Sequence, residues 1–468
     1  MNNYKNNIFN SEKFFMKNKK SVISIILCIC VLFAAVSLNL MVSALPSTVT
    51  QLDITTSGIF TLSDDTRKII DSLDEDINIY FICAKGKENS RTVTILNRYD
   101  EASDRISVEQ IDPAYYPNFV SNHTNESSLT YNSIIVESAK RSQIIRYADY
   151  NTSSFFLLED YLNSALNTTT AERRPVVYSL TGHGETELSS DTLSQIALNG
   201  YETESFSFLN ADNVPKDAAL LLVFNPQNDI NKSEKDLLIS YLENGGRLLL
   251  ITGFSALPQP NIDAVMNSCG MQRVSGYICE ASNGAYYSSP TYIVPTVQNE
   301  PAMSTVTEGV AYVLAPVAHG IEQLDAFRGS LKHYSILKTS DYSYAKQNLT
   351  STDTSFAVGD IEGPFCVGMA AVEAIGDRET RVIWYSSSGM LNSNVDSVVS
   401  GTNTLLFLNS INYLSGNEVA TLHAKAISIG TLTVMPKDKA LWSAIMLAIV
   451  PGCVFASGLI ICAQRRHR

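Results

Sequence analysis

Charge is scarce in this chain, and the usual catalytic and cofactor signatures are missing. Of its 468 residues, 17% are charged and 45% hydrophobic. A chain of that composition can bury a sizeable core and does not read as disordered. There is no CxxC pair, which excludes a zinc ribbon or a thioredoxin-type redox centre. There is no Walker A sequence, no HExxH, no GxSxG and no kinase set, so no nucleotide or hydrolase site is announced by motif. GxGxxG also fails, because no third glycine follows Gly182-His183-Gly184 at the required spacing. A Rossmann cofactor site is therefore not expected. Basic stripes interleaved with aromatics are absent as well, and that excludes nucleic acid as a partner.

Two long stretches have no charge at all. "SVISIILCICVLFAAVSLNLMVS" (21–43) and "LWSAIMLAIVPGCVFASGLIICA" (441–463) are each long enough to span a bilayer core of ~30 Å at about 1.5 Å per helical residue. Pro451 is tolerable there, because neighbouring helices can re-satisfy the carbonyl it frees. Before the first stretch stand Lys5, Lys13, Lys17, Lys19 and Lys20 against a single Glu12, and after the second Arg465, Arg466 and Arg468. The excess of positive charge predicts that both tails, 1–20 and 464–468, face the cytoplasm of a two-pass cell-membrane protein, with Ala44–Ala440 outside and lipid as a partner. The alternative for the first stretch is a cleaved signal peptide, since "VSA" precedes Leu45. With the two flanks set aside, 26 basic residues face 46 acidic ones, so the outer part has a net charge near −20. Of the four cysteines outside the spans, Cys83, Cys269, Cys279 and Cys366, a Cys269–Cys279 bridge and four unpaired thiols both remain open.

The outer part reads as α/β. Over 47–171 the pattern predicts a Ser63-capped helix in "FTLSDDTRKIIDSLD", a strand at 77–84, a helix over 92–102, and a strand in "RISVEQIDP". A hairpin turning at 139–141 and a helix over 155–166 complete the unit. The second unit, 172–416, begins with "PVVYSL", then Gly-His-Gly-Glu, a helix over 192–198 and the continuous apolar strand "AALLLVFNP". A helix capped by Ser233, with Leu237, Leu238, Tyr241 and Leu242 inward, leads through Gly245-Gly246 to "RLLLIT". The alternation predicts an α/β fold with a doubly wound sheet and right-handed crossovers. An insertion of short strands near 257–350 interrupts it, before "CVGMAAVEA", "TRVIWYSSSGML" and a helix over 404–416. Residues 417–440 read as a strand and a tether.

Candidate contacts gather where strands end. Gly182, His183, Gly184 and Glu185 form one such turn, Asn225 sits in "FNP", and Ser386, Ser387 and Ser388 follow "VIWY". All lie on the predicted carboxyl edge of one sheet, where α/β proteins place their ligands. His183 with Glu185 has the composition of a base and its orienting partner. No other histidine stands at ligand spacing from it, and the two glycines are explained by a turn that needs positive φ. The three serines lack the preceding glycine of a nucleophile elbow, since Trp384 and Tyr385 occupy that side. These residues are therefore read as ligand or partner contacts, with no catalytic residue, metal or cofactor expected. Asp353, Asp360, Asp377 and Glu379 are read as surface acids.

Several stretches in order resemble one family, the GldG-like auxiliary proteins of uncharacterised ABC transport systems. They are "SLTGHGETE", "NGYETESFSF", "NVPKDAALLLVFNPQNDINKSEKDLLISYLENGGRLLLITG", "TRVIWYSSSGMLNSN", "NTLLFLNSINYLSG" and the ending "LAIVPGCVFASGLIICAQRRHR". Upstream, "TSGIFTLSDDTRKIIDSL" and "VEQIDP" fit as well, while 256–350 matches only loosely. The resemblance implies an extracytoplasmic domain similar in fold to class I glutamine amidotransferases but without their Cys–His pair. It also implies an ABC permease and a cytoplasmic ATPase as partners. With two spans in this chain, the permease is expected to be a separate polypeptide. The expected function is thus a non-enzymatic, membrane-anchored accessory subunit. Two alternatives stand beside it: a cell-envelope sugar- or peptide-binding module using Tyr286, Tyr287 and Tyr292, and a degenerate surface hydrolase using His183 and Glu185.

Overall fold

In the computed structural model, the residues described are 60–416 apart from 125–128, 152–154, 210–212, 256, 325–327 and 351–352, together with positions within 29–41 and at 425–426, 452 and 458. The chain divides into two units, Met1–Ile427 and Ser428–Arg468. The second predicted span lies outside the described residues except for two positions. In the first, 29–34 and 36–39 are helical with exposed apolar side chains such as Ile29, Leu32 and Phe33. Among the described residues, no helix is long and apolar enough to cross a membrane.

The first sheet follows the expected pattern closely. Helix α1 (Asp64–Asp71) is capped by Ser63, whose hydroxyl accepts the Thr66 N–H, and it buries Thr66, Ile69 and Ile70. Strand β1 (Ile77–Ile82), α2 (Ser90–Ala102) and β2 (Ile106–Ile111) form a parallel crossover. Strands β3 (Ser133–Glu137) and β4 (Ser142–Ile145) are the hairpin, and the sheet order is β2-β1-β3-β4.

The helix expected over 155–166 is displaced. Phe155–Phe156 is a short strand, β5, and α3 runs over Leu158–Thr170. Beyond the end expected for that helix, Thr168 and Thr169 are helical and buried, because α3 is wedged between the first sheet and the second α/β layer. Its buried polar side chains are satisfied internally, as burial requires. Glu159 accepts from the Ser63 N–H at 2.7 Å, Asn163 accepts from the Tyr99 hydroxyl at 2.7 Å, and the Ser164 hydroxyl donates to the Leu198 carbonyl at 2.6 Å. One hydrophobic cluster runs from Leu62 through α3 to Leu414, so the two α/β layers share a continuous core.

In the second sheet, β6 (Val176–Leu180), α4 (Ser190–Leu198), β7 (Glu202–Phe206), β8 (Ala218–Phe224), α5 (Lys232–Glu243) and β9 (Arg247–Ile251) follow in order. Next come α6 (Pro260–Ser268), β10 (Met271–Val274), β11 (Gly320–Gln323), β12 (Leu331–Lys338), β13 (Cys366–Ile375) and β14 (Arg378–Tyr385). Helices α7 (Ser393–Val398) and α8 (Thr402–Ser415) close the unit, and β15 (Lys425–Ala426) pairs with β5. The strand order is β10-β11-β13-β14-β9-β8-β6-β7, with β12 also on β13. Five neighbours, β14-β9-β8-β6-β7, are parallel, while β10, β11, β12 and β13 run antiparallel. The sheet is therefore mixed. The segment expected as an insertion supplies β10, β11 and β12 to it, extending the sheet instead of merely decorating it.

Two local expectations are corrected. The α5 cap is Asn231, not Ser233: the Asn231 side chain accepts the Glu234 N–H while the Glu234 carboxylate accepts the Asn231 N–H, a reciprocal box. Asp360 is not a surface acid. It pairs with Lys346 at 3.0 Å, with both side chains nearly fully buried. Cys83, Cys269, Cys279 and Cys366 are free thiols.

Candidate functional site

The parallel strands are arranged 2-1-3-4-5 in chain order, so the direction of winding reverses between β6 and β8. Loops leaving the carboxyl ends of these two strands diverge, and the gap between them is the usual ligand crevice of such a sheet. Here the gap is filled by the loops themselves. Strand β6 delivers Thr181–Glu185, with Gly182 at φ +123° and Gly184 at φ +73°, conformations that side chains resist. The His183 carbonyl accepts from the Gln227 N–H at 3.1 Å and the Asn228 N–H at 2.9 Å. The Thr186 N–H donates to the Phe224 carbonyl at 3.1 Å, and the Asn225 amide donates to the Thr186 hydroxyl at 2.8 Å. Strand end meets strand end across the switch point.

His183 locks this closure. Its ring Nδ1 donates to Glu185 Oε1 at 2.9 Å, while its own backbone N–H donates to Glu185 Oε2 at 2.8 Å. On the other side Nε2 lies 2.9 Å from Glu234 Oε2. Ionised carboxylates can only accept, so with Glu185 and Glu234 both ionised the two ring nitrogens carry protons and the ring is an imidazolium. All three side chains are about 10% exposed or less. The hydrogen bond to Glu185 holds the His183 pKa above its ordinary value, against the opposing effect of burial. Burial pushes the Glu185 carboxyl up, but the hydrogen bonds from the His183 ring and nearby backbone N–H groups outweigh it and hold it below the usual range.

The remaining candidates separate. Ser386 and Ser387 are fully buried, their hydroxyls donating to the Val367 carbonyl at 3.2 Å and the Pro316 carbonyl at 2.6 Å. Ser388 is half-buried and stands with Asn225 around Gly253. A Cβ on Gly253 would come within 2.6 Å of Ser388 Oγ and 3.1 Å of Asn225 Oδ1. Asn225 itself takes φ +50°, which asparagine tolerates better than most residues. The structure thus brings Asn225 and Ser388 together at a small notch around Gly253, with Asn225 also joined to the β6 loop through Thr186.

Residues 56–150 match a domain of unknown function, DUF7088. No curated protein matches the chain. Among solved structures, the mmIFT52 N-terminal domain is similar at 11% identity over 51% of this chain and 97% of its own, with a TM-score of 0.38. A putative ThuA-like protein from Parabacteroides merdae is similar at 11% identity over 52% of this chain and 91% of its own, with a TM-score of 0.30. A putative GMP synthase subunit from Thermoplasma acidophilum is similar at 8% identity over 53% of this chain and 97% of its own, with a TM-score of 0.29. Similarities of this size carry no argument about activity, substrate or partner.

Two functional neighbours escaped the sequence. Glu234 sits in the motif Asn231-Lys-Ser-Glu234, a legible helix start, but its pairing with a histidine 51 positions away is a tertiary fact. His319 is the other. Its Nδ1 donates to the Gly320 carbonyl at 2.9 Å and its Nε2 accepts from the Thr252 hydroxyl at 2.8 Å, an oxygen that also accepts the Trp384 indole N–H at 2.8 Å. Burial, with the nearby Arg273 guanidinium, holds the His319 pKa well below the ordinary range, so this ring is neutral. No group of three or more His, Cys, Asp or Glu among the described residues is arranged to hold a metal. Tyr287 and Tyr292 are exposed on one turn, with the Tyr287 N–H donating to the Tyr292 carbonyl at 2.8 Å.

Proposed function

We propose that this chain is a non-enzymatic, membrane-anchored accessory subunit of an ABC transport system, whose outer, amidotransferase-like domain docks a partner or substrate beside a separate permease. The observation that carries the reading is the self-closed switch point. A histidine held as an imidazolium between two carboxylates has no lone pair with which to take a proton from a substrate. Ser386 and Ser387, at the carboxyl end of β14, spend their hydroxyls on backbone carbonyls. This geometry weighs against the surface hydrolase reading, whose base would be His183. The uncharged stretches 21–43 and 441–463 with basic flanks support an anchor at each end, and the GldG-like resemblance supports the transport setting. The pairing of β15 with β5 returns residues 425–426 to the first α/β layer.

Purifying the full chain in mild detergent should bring a permease and an ATPase with it. Removing 44–440 while keeping both spans should leave the permease–ATPase pair intact and abolish its transport. Normal transport after that deletion, or purification of the full chain free of any permease, would overturn the proposal.

A further inference from the structure

The tyrosines of the segment 257–350 divide between two faces of a hairpin. Over 285–294 Tyr286 bridges Ile293, the Val294 N–H donates to the Ala285 carbonyl at 2.8 Å, and the Tyr287 N–H donates to the Tyr292 carbonyl at 2.8 Å. Side chains along such a ladder alternate between its faces. Ile293 is buried, so the face it shares with Tyr286 turns inward. Ala285, Tyr287, Tyr292 and Val294 share the other face, where Tyr287 is 50% and Tyr292 36% exposed. Ala285 and Val294 also line a cavity of about 480 Å³, and Tyr312, 68% exposed, lines it with them. That volume is within the range of small-molecule sites.

This face is free of charge. Among the described residues no Asp, Glu, Lys, Arg or His lines the cavity, and the stretch 281–299 contains none. In an outer part near −20 overall, such a patch offers an ion no complement. Its polar groups are the hydroxyl of Thr296 and the amides of Gln298 and Asn299, which can both donate and accept. Among the described residues nothing hydrogen-bonds the Asn299 amide or the hydroxyls of Tyr287, Tyr292 and Tyr312, and none of these three rings packs on another aromatic ring. The backbone behind them is held firmly. Tyr292–Ile293 pairs with Ala315–Pro316, the Thr402 hydroxyl donates to the Tyr312 carbonyl, and Asn403 Oδ1 accepts the Leu314 N–H at 3.1 Å. With Tyr292–Ile293 paired on both edges, that strand has no open ladder for an added peptide. What it presents is aromatic faces beside uncharged donors and acceptors. A sugar ring matches both, with C–H groups on its faces and hydroxyls at its edge.

We infer that this face binds an uncharged oligosaccharide, its rings on Tyr287, Tyr292 and Tyr312 and its hydroxyls at the amides of Gln298 and Asn299. Two strand residues, about 7 Å, separate Tyr292 from Val294 at the cavity, so an occupant touching both is longer than one sugar ring. The inference stands apart from the transport reading and holds or fails without it.

The test uses the full chain in lipid nanodiscs, which avoids sugar-based detergents. Ligand-observed NMR compares maltotriose, cellotriose and tri-N-acetylchitotriose with two controls, the anionic trigalacturonate and an uncharged proline-rich peptide. The best of the neutral trisaccharides should bind about tenfold more tightly than either control. Tyr287→Ala and Tyr312→Ala each remove an exposed ring, so the melting temperature should stay with the parent while binding weakens about tenfold. Tyr287→Phe keeps the ring and should bind within about threefold of the parent. No neutral trisaccharide bound at millimolar concentration, a control bound as tightly as the best of them, or binding unaffected by both alanine substitutions would each overturn the inference.

Discussion

Replacing His183 by Gln tests the closed switch point most directly. The imidazolium makes a hydrogen bond of 2.9 Å to each of two carboxylates whose side chains are only 6 and 7% exposed. Without the cation, Glu185 and Glu234 remain buried, facing one another across the vacated space. Breaking a buried ion pair from one side costs ~3–5 kcal/mol. That should lower the unfolding midpoint by roughly 3–6 °C, because a unit of this length has a large unfolding entropy. Glu234→Gln is milder. Glutamine still serves the helix cap, and the change costs about 1–3 kcal/mol through the lost charge. Trp384 lies fully buried in a central strand of the same sheet, so its fluorescence follows the loss of that core during thermal or urea unfolding. The two substitutions should also couple strongly, because each removes the same contact. The sign of the pH dependence adds a second check. The His183 pKa is raised on folding, so its contribution is complete below the unfolded value near 6.5 and fades as pH rises through the folded value. The deficit of His183→Gln should therefore be largest under mildly acidic conditions and shrink toward alkaline ones. A variant that melts with the parent at every pH, or additive effects of the two substitutions, would refute the clamp.

His319 should behave in the opposite way. Its pKa is depressed by burial, so stability falls as pH drops below about 6.5 toward the folded value, at no more than ~1.4 kcal/mol per pH unit. Urea midpoints measured from neutral to acidic pH should lose that slope in His319→Gln. Lys346→Met should cost ~3–5 kcal/mol, since it strands the buried Asp360 carboxylate, and Lys346→Met with Asp360→Leu should recover much of the loss in denaturant titrations. Gly246→Ala should destabilise by about 1–3 kcal/mol, because its Cβ would come within 2.5 Å of the Tyr241 carbonyl oxygen, and calorimetry reads that directly.

Much of the fold was legible because it rests on local chemistry. Ser63, the apolar β8 run and the Gly245-Gly246 stop each act through neighbours in sequence, and each stands where the pattern put it. The Asn231 cap was equally legible and was misplaced by two positions, since Asn231-x-x-Glu234 and Ser233 compete for the same helix start. Helix α3 was misjudged for a different reason. Its alternation of polar and apolar residues reads as a half-exposed face, yet partners more than thirty positions away, including the Tyr99 hydroxyl and the Leu198 carbonyl, satisfy the polar side chains and let most of the helix be buried. Of the candidate site, the sequence located the edge and its residues. It did not show that His183 and the serines face inward while Asn225 and Ser388 flank Gly253.

By itself, the sequence determined the alternation of strands and helices, the positive-φ turn after β6, and the charge and apolar patterning that set the ends of the chain apart. These follow from backbone sterics and hydrophobic periodicity, which act over a few residues. Only the tertiary structure decided that the sheet is mixed, that Glu234 reaches His183, and that Tyr312 comes to the cavity beside the 285–294 hairpin. Those outcomes depend on which distant surfaces meet, and a hydrogen bond or a cavity wall has no signature in the chain until the packing that forms it is complete.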